Sequence, residues 1–263
     1  MTQAAVTLDD FGYDPVPTSL DAHRDSVVER ISSIVDAFDA SSPVLSLGQL
    51  TERTGLPKST VYRLTEQLVE LRWLERSRSG YRLGFKFFEL GGLVALRNRL
   101  RTCAIPFLHD LQGAVGQSVH LGVLDGLDVV ILAKIWGHGG STPTWDGGRM
   151  PAYCTATGKV LLAYAGEETI EAAIGHGLRR RTGGTIVNPS VLRQSLATIR
   201  NAGIATESEE NVPGLCCVAA PILEDGRAIA AVSVSGPVHR LDLVRTAPLL
   251  RRCANQIWSG LRP

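Results

Sequence analysis

The segment Ser46–Gly84 constrains the fold of this 263-residue chain more than any other stretch. Ser46 precedes an apolar pattern and Gln49 follows three residues later, which is the capping-box signature of a helix N-terminus. Gly55 supplies the left-handed residue that ends such a helix, and Pro57 suits the first turn of the next one. The spacing therefore predicts two short helices joined by a tight turn.

The second predicted helix has one apolar face and one polar face. Its apolar stripe follows the i, i+3, i+7 spacing of a buried surface and consists of Val61, Leu64, Leu68 and Leu71. The opposite face carries small hydroxyls and cations near the N-terminus, as a recognition helix that enters DNA does. An ordinary helical hairpin with a solvated face gives the same pattern. If the helix does read DNA, the contacts are expected from Lys58, Ser59, Thr60, Tyr62 and Arg63.

A basic hairpin follows the second helix. Residues 73–76 and 81–83 alternate in the manner of strands around the turn-forming cluster 77–80. Arginines in such a hairpin lie beside the phosphate backbone and add affinity that depends on salt rather than on base sequence. The position of the hairpin predicts a winged helix-turn-helix that binds DNA, with the wing cations Arg76, Arg78 and Arg82.

The composition argues against a membrane, secreted or metal-binding protein. No run of about 18 uncharged apolar residues occurs, so no membrane-spanning helix is expected. The first residues also lack the basic and apolar regions of a secretory signal. The cysteines have no paired CxxC spacing, so we predict no metal site and no cofactor, and reduced thiols favour a cytoplasmic location. These cysteines are Cys103, Cys154, Cys216, Cys217 and Cys253.

Charge is spread unevenly along a chain whose formal net charge is only +1. Residues 1–23 contain four acidic side chains and no Lys or Arg, and we interpret them as a mobile polar tail. Residues 24–101 contain thirteen Lys and Arg against nine Asp and Glu, whereas residues 102–263 contain fourteen against thirteen. A basic module followed by a larger, nearly neutral half is typical of a DNA-binding domain joined to a sensor.

The hydrophobic periodicity on both sides of the hairpin predicts the domain boundaries. An amphipathic helix over 26–38 adds a scaffold to the winged helix-turn-helix, which we place at 24–84. Residues 85–101 form a linker helix in this prediction, and its apolar side packs either on its own domain or on a second copy of the chain. Residues 102–263 alternate hairpins and helices, which predicts an α+β domain with helices packed on an antiparallel sheet.

Two features of this second domain suit a small anion. A helix is predicted from Thr155, and the free N–H groups at Ala156 and Thr157 would favour a carboxylate together with the helix dipole. Ser233 and Ser235 lie on one face of a strand, because side chains repeat every second residue. A simple helix cap and a solvated sheet face explain the same residues, so the pattern alone leaves both interpretations open.

Three stretches of the chain resemble those of IclR-type transcriptional regulators. They are GLPKSTVYRL with the following SGYRLG, RMPAYCTATGKVLLAY, and GIATESEENVPGLCCVAAPILEDGRAIAAVSVSGP. The resemblance covers about residues 24–255 and implies a winged helix-turn-helix, a linker helix and a C-terminal GAF-like α+β effector-binding domain. It also implies homodimers that pair into homotetramers, operator double-stranded DNA as a partner, and a small organic acid or aromatic metabolite as effector.

The resemblance further implies an effector pocket, to which the first two residues contribute their backbone: Ala156, Thr157, Glu207, Cys217, Ser233 and Ser235. The chain departs from the family pattern at Tyr153, where His is frequent. Glu207 also stands where members that bind small keto acids tend to carry Asp. These departures leave the identity of the effector open. Candidates for the apolar wall of the pocket are Leu121, Trp145 and Met150.

The predicted function is therefore a transcriptional regulator and not an enzyme, and no catalytic residue is assigned. One alternative is a cysteine-based second domain in which Cys217 acts as a nucleophile with a histidine base. Its candidate bases are His120, His176 and His239. A redox pair of Cys216 and Cys217 is a variant that needs a strained vicinal disulfide. In another alternative, the winged domain binds protein rather than DNA.

Overall fold

The computed structural model describes residues 26–138 and 144–262, so the polar tail predicted for residues 1–23 lies outside the described residues. The chain divides into two compact units, of which one ends at Arg97 and the other begins at Asn98. We call them the N-terminal unit and the C-terminal unit. Among the described helices, none combines the length and hydrophobicity that crossing a membrane requires.

The described part of the N-terminal unit contains three short helices, a two-stranded hairpin and a fourth helix. In chain order they are α1 (Val27–Asp36), α2 (Leu47–Thr54), α3 (Lys58–Glu70), β1 (Leu74–Ser77), β2 (Gly80–Leu83) and α4 (Phe85–Arg97). Ser46 and Gln49 form the predicted capping box, and Gly55 ends α2 with a φ of 67°. Pro57 is the N-cap of α3. The local signals thus set the helix boundaries around the turn.

A small core joins the three short helices to the hairpin. It contains the buried side chains Ile34, Leu45, Leu50, Val61, Leu64, Leu68, Leu74 and Tyr81. Leu45 and Tyr81 also exchange backbone hydrogen bonds of 2.9 and 2.8 Å, which fix the wing to the segment before α2. The prediction that Leu71 belongs to the buried stripe is wrong, since this side chain is 64% exposed. The helix ends at Glu70, and the left-handed φ of 62° at Arg72 turns the chain away.

Helix α4 presents apolar side chains without burying any of them in the described structure. The five most exposed, at 59–78% of their surface, are Phe85, Phe88, Leu93, Val94 and Leu96. The helix predicted over 85–101 stops at Arg97, because the side chain of Asn98 begins the next helix by accepting a hydrogen bond from the Arg101 N–H at 2.9 Å.

The C-terminal unit is an α+β domain built on a six-stranded antiparallel sheet, as predicted. Its helices are α5 (Arg99–Val115), α6 (Ala156–Ala163), α7 (Glu167–Gly175), α8 (Pro189–Ala202) and α9 (Leu243–Leu261). Its strands are β3 (Ser118–Asp125), β4 (Asp128–Ile135), β5 (Arg149–Pro151), β6 (Ala205–Ser208), β7 (Leu215–Glu224) and β8 (Arg227–Pro237). In the sheet they lie in the order β5-β4-β3-β8-β7-β6. The sequence pattern predicted neither β5 nor α7.

The two faces of this sheet bury different cores. Helices α5 and α9 pack with one face, whereas α6 and α8 pack with the other. Adjacent side chains of a strand therefore enter different cores. Cys216 lies in the core under α5 and α9, whereas Cys217 lies in the core under α6 and α8. The turn between β7 and β8 consists of Asp225 and Gly226, whose φ values are 47° and 80°. Such left-handed residues match the twist of a two-residue hairpin.

Candidate functional sites

The polar face of α3 lies at the surface of the N-terminal unit. Lys58, Ser59, Tyr62 and Arg63 are exposed and Thr60 is half-buried. Within the described ranges, neither Lys58 nor Arg63 forms an ion pair. Both cations therefore remain available to a polyanion, as a recognition helix requires.

The wing cations differ in their surroundings. Arg76 forms an ion pair with Glu66 of α3, and Tyr81 donates a hydrogen bond to the other Glu66 oxygen at 3.1 Å. Arg82 pairs with Glu75, with 2.9 Å between Nε and Oε2. The first pair holds the hairpin against α3, and the second joins its two strands. Arg78 lies exposed at the turn and has no partner in the part of the chain that the structure describes.

The C-terminal unit contains a cavity between the sheet and the beginning of α6. Its volume is about 50 Å³, enough for about three or four water molecules. Five predicted effector residues line it: Thr157, Glu207, Cys217, Ser233 and Ser235. Ala156 does not line the cavity, because its side chain packs in the core around α6. Further lining residues that the pattern did not identify are His120, Thr144, Thr155, Asn211, Val212 and Leu215.

Only one of the three candidates for the apolar wall lines this cavity. Met150 is in contact with it, as expected. Leu121 is not, because it follows His120 on β3 and so projects into the core on the other face of the sheet. Trp145 is 49% exposed and is not part of the lining. The apolar part of the lining is therefore formed by Met150 together with Val212 and Leu215.

The sheet register brings the polar lining together. Glu207 pairs with Cys217 across β6 and β7, and Cys217 pairs with Ser235 across β7 and β8. In the neighbouring row, Ser233 pairs with His120 across β8 and β3. Because the two rows are two residues apart along β8, their side chains share one face of the sheet.

Hydrogen bonds connect these groups. The Thr157 hydroxyl donates to the Ser233 hydroxyl at 2.9 Å. His120 lies 3.4 Å from the Ser235 hydroxyl through Nδ1 and 2.9 Å from the Thr144 hydroxyl through Nε2. Burial lowers the pKa of His120 to about 3, and the Lys134 charge acts in the same direction. At neutral pH this imidazole is therefore an uncharged hydrogen-bonding group.

The beginning of α6 borders the cavity through Thr155 and Thr157. The Thr155 hydroxyl caps the helix by accepting the Gly158 N–H at 3.1 Å. The first-turn N–H groups of Ala156 and Thr157 have no acceptor within the helix. They carry the positive end of the helix dipole, which favours an anion.

Two acidic side chains near the cavity have different roles. Lys159 is buried, and its ammonium contacts Glu210 at 2.5 Å and the Thr206 carbonyl at 2.9 Å. Glu207 is 8% exposed and accepts the Glu210 N–H at 3.0 Å. Burial nevertheless raises the pKa of Glu207 to about 7. Glu207 is thus the carboxyl of the lining that changes charge near neutral pH.

The environment of Cys217 argues against a cysteine nucleophile. Burial raises the pKa of its thiol, so the thiolate is not populated at neutral pH. His120 shares the cavity but is uncharged, whereas His176 and His239 are exposed and outside the lining. Cys216 is on the opposite face of the sheet. The arrangement therefore provides neither an activated thiol with its base nor a vicinal disulfide.

Comparison with known proteins identifies the family. Residues 27–78 match the model of the IclR helix-turn-helix domain. Residues 93–259 match that of the C-terminal domain of the bacterial transcriptional regulator IclR. The chain therefore belongs to the IclR family of transcriptional regulators.

Individual relatives agree with this assignment. The chain is 35% identical over 220 residues to the HTH-type transcriptional regulator XynR of Escherichia coli K12, covering 82% of this chain and 87% of XynR. It is 28% identical over 246 residues to the transcriptional repressor AllR of Salmonella typhimurium, covering 90% of each. These relatives are regulators rather than enzymes.

A solved structure supports the same fold over both units. An IclR homolog from Microbacterium hydrocarbonoxydans, crystallised in complex with 4-hydroxybenzoate, is 30% identical with a TM-score of 0.80 and covers 90% of this chain and 99% of its own. The IclR of Thermotoga maritima, also 30% identical, has a TM-score of 0.68. The chain is thus a DNA-binding transcriptional regulator with a helix-turn-helix domain and an α+β second domain.

We predict that Glu207→Gln changes the pH dependence of stability. The folded pKa of about 7 lies above the ordinary 4.5. Stability that depends on protonated Glu207 is therefore complete below pH 4.5 and is lost as the pH rises through 7. The free energy of unfolding of the variant, relative to wild type, should rise by about 2 kcal/mol between pH 5 and pH 8. Urea unfolding at both pH values measures it.

The matched control is Glu168→Gln, because Glu168 is exposed on α7. Its difference from wild type should be the same at both pH values. A Glu207→Gln difference that is also constant with pH would show that burial does not perturb this carboxyl.

Proposed function

We propose that this chain is a homo-oligomeric regulator that binds operator DNA through α3 and the wing and a small organic or aromatic acid in the cavity of the C-terminal unit. Acid binding changes the affinity for the operator. In this proposal the DNA-binding domain occupies 24–84, the linker is helix α4, and the effector domain begins at Asn98. The observation that carries the proposal is the meeting of five strands and the first turn of α6 around a single cavity lined by several hydroxyl groups.

The chemistry of the cavity suits a carboxylate. Backbone N–H groups at the start of α6 and the hydroxyls of Ser233 and Ser235 donate hydrogen bonds to an anion. The volume of about 50 Å³ favours a small acid in the described conformation. A larger acid such as 4-hydroxybenzoate, which the Microbacterium homolog binds, requires the walls to separate. Protonated Glu207 adds a further donor without repelling the anion.

The exposed surface of α4 supports assembly. Five large apolar side chains on a 13-residue helix exceed what a solvated helix normally presents. A second copy of α4 offers the same surface, and an isologous pair is the commonest way for identical chains to associate. Two paired winged units then face half-sites about one turn of DNA apart. A coupling free energy of about 1–3 kcal/mol between acid and operator would change operator affinity roughly 5–150-fold.

The first test is of DNA recognition. Duplexes selected in vitro from random sequence supply a specific site, and fluorescence anisotropy at several salt concentrations measures the affinity. Lys58→Ala should weaken binding to all sequences and reduce the slope of log affinity against log salt by about one, as loss of one phosphate contact does. Arg63→Ala should cost about 1–3 kcal/mol and relax the sequence preference.

Arg193→Ala is the control for this test, because Arg193 is on α8 and pairs there with Glu167 and Glu171. Its affinity should match wild type. If Lys58→Ala and Arg63→Ala both bind the selected site as wild type does, α3 is not the recognition helix. Binding without salt dependence would favour the protein-interaction alternative.

The second test is of the acid. Thermal unfolding is recorded with pyruvate, benzoate and 4-hydroxybenzoate, and calorimetry gives the Kd of any acid that raises the Tm. Ser235→Ala removes a hydroxyl from the lining and should weaken that acid about tenfold or more, as loss of a hydrogen bond to a charged group does. The control Ser208→Ala alters an exposed hydroxyl of β6 and should leave the Kd unchanged. Equal Kd values for the two variants would place the acid elsewhere.

The third test is of assembly. Phe88→Glu places a charge on an α4 side chain that is 78% exposed in the single chain. Burying that charge between two copies is costly, so sedimentation should show a smaller particle than wild type. Val244→Glu makes the same change at an exposed position of α9 and should leave the mass unchanged. A wild-type mass for Phe88→Glu would exclude this surface as the interface.

A further inference from the structure

One wall of the cavity is held by Lys134 of β4. The cavity residue Thr144 bonds to His120 through its hydroxyl, and its carbonyl accepts a hydrogen bond from the Lys134 ammonium at 2.7 Å. The same ammonium lies 3.5 Å from the centre of the Trp136 ring, a cation–π contact. The position of Thr144 is therefore linked on one side to the imidazole that faces the cavity and on the other to a buried lysine.

Asp146, two residues further along, extends this link to α5. One of its carboxylate oxygens accepts the Lys134 backbone N–H at 2.8 Å, and the other is 3.1 Å from the Arg101 guanidinium. Arg101 also donates from Nε to the Leu132 carbonyl at 2.8 Å. Its guanidinium thus joins α5 both to the wall segment and to strand β4.

Arg101 lies in the first turn of α5, beside the end of the linker. Its backbone N–H bonds to the Asn98 side chain at 2.9 Å, and Asn98 is the single residue between α4 and α5. A continuous set of contacts therefore runs from the cavity through His120, Thr144 and Asp146 to the junction of the two helices. All of these contacts lie within the C-terminal unit.

The energetics of this ion pair suit signalling more than folding. The side chains of Arg101 and Asp146 are 30% and 48% exposed. Exposed pairs contribute little to stability, so the pair is removable without unfolding the domain. Substitution of residues that carry coupling between distant sites changes that coupling by roughly twofold to thirtyfold.

We propose that Arg101 and Asp146 are positioning residues that transmit acid binding from the Thr144 wall to the start of α5, and through Asn98 to the linker helix. An acid that accepts a hydrogen bond from Ser235 competes with the His120 imidazole for that hydroxyl and thereby changes the His120–Thr144 hydrogen bond. Thr144 and Asp146 are both bound to Lys134, so they move together. The inference rests on the proposed function, because it requires an acid in the cavity.

The test compares Arg101→Gln with wild type, with 4-hydroxybenzoate as probe and pyruvate as a smaller second probe. Three quantities are measured: the Kd of the acid for the DNA-free protein, the operator affinity without acid, and the ratio of operator affinities with and without acid. We expect the Kd of the acid and the acid-free operator affinity to stay within threefold of wild type. The ratio of operator affinities with and without acid should lie threefold to tenfold closer to one than in wild type. Asp146→Asn should behave in the same way.

Two further variants separate coupling from general disturbance. Arg101→Lys keeps the positive charge beside Asp146 but loses the planar guanidinium that also donates to the Leu132 carbonyl. Its ratio should therefore lie between those of wild type and Arg101→Gln. Arg193→Gln removes a comparably exposed arginine pair on α8 and should keep the wild-type ratio. Hydrogen exchange of residues 99–104 reports directly on the first turns of α5. Acid should change it in wild type but not in Arg101→Gln.

Three other outcomes would contradict the inference, and each can be distinguished from the others. A wild-type ratio in Arg101→Gln leaves the proposed function intact and removes the transmitting role of the pair. Loss of acid binding in Arg101→Gln shows that the pair only shapes the cavity. If neither probe binds wild type or alters its operator affinity, the proposed function fails for these acids and the inference fails with it.

Discussion

The antiparallel register of β7 and β8 is the constraint on which the C-terminal unit depends. It places Cys217 opposite Ser235 and Ala219 opposite Ser233, so the polar side chains face α6 while their neighbours enter the apolar core under α5 and α9. A slip of one residue would exchange the two faces and bury the serines in that core. The apolar core therefore enforces the register, and the register determines which groups meet at the cavity.

The ion pair of Lys159 and Glu210 then fixes α6 above this sheet. A buried pair of charges adds little net stability, but removing one partner is costly, so its geometry is strongly maintained. Lys159 follows the first turn of α6 and also bonds to the Thr206 carbonyl of β6. The N–H groups at the start of α6 are thereby held in place in the absence of the proposed acid. Such preorganisation reduces the ordering cost of binding.

Sequence reasoning succeeded where the determining interactions are local. The cap at Ser46 and the left-handed Gly55 depend on residues within a few positions, and both formed as predicted. His120 and Thr144 were missed as lining residues because their place depends on pairing across distant strands. Leu121 was assigned to the wrong face for the same reason. The ion pair of Arg76 and Glu66 was not predicted either, because it forms only when the hairpin folds back on α3.

The interruption at Asn98 gives the two helices around it different mechanical roles. Helix α5 buries Leu100, Ala104, Leu108 and Leu111 in the sheet core, so it behaves as part of a rigid body. Helix α4 buries no residue in the described structure. Its contacts in the described structure are instead with the residues around the hairpin, where Phe87 packs edge-on against Trp73 with 5.0 Å between ring centroids. If Arg101 and Asp146 transmit acid binding as proposed, α4 is the helix expected to respond when the contacts of Arg101 change.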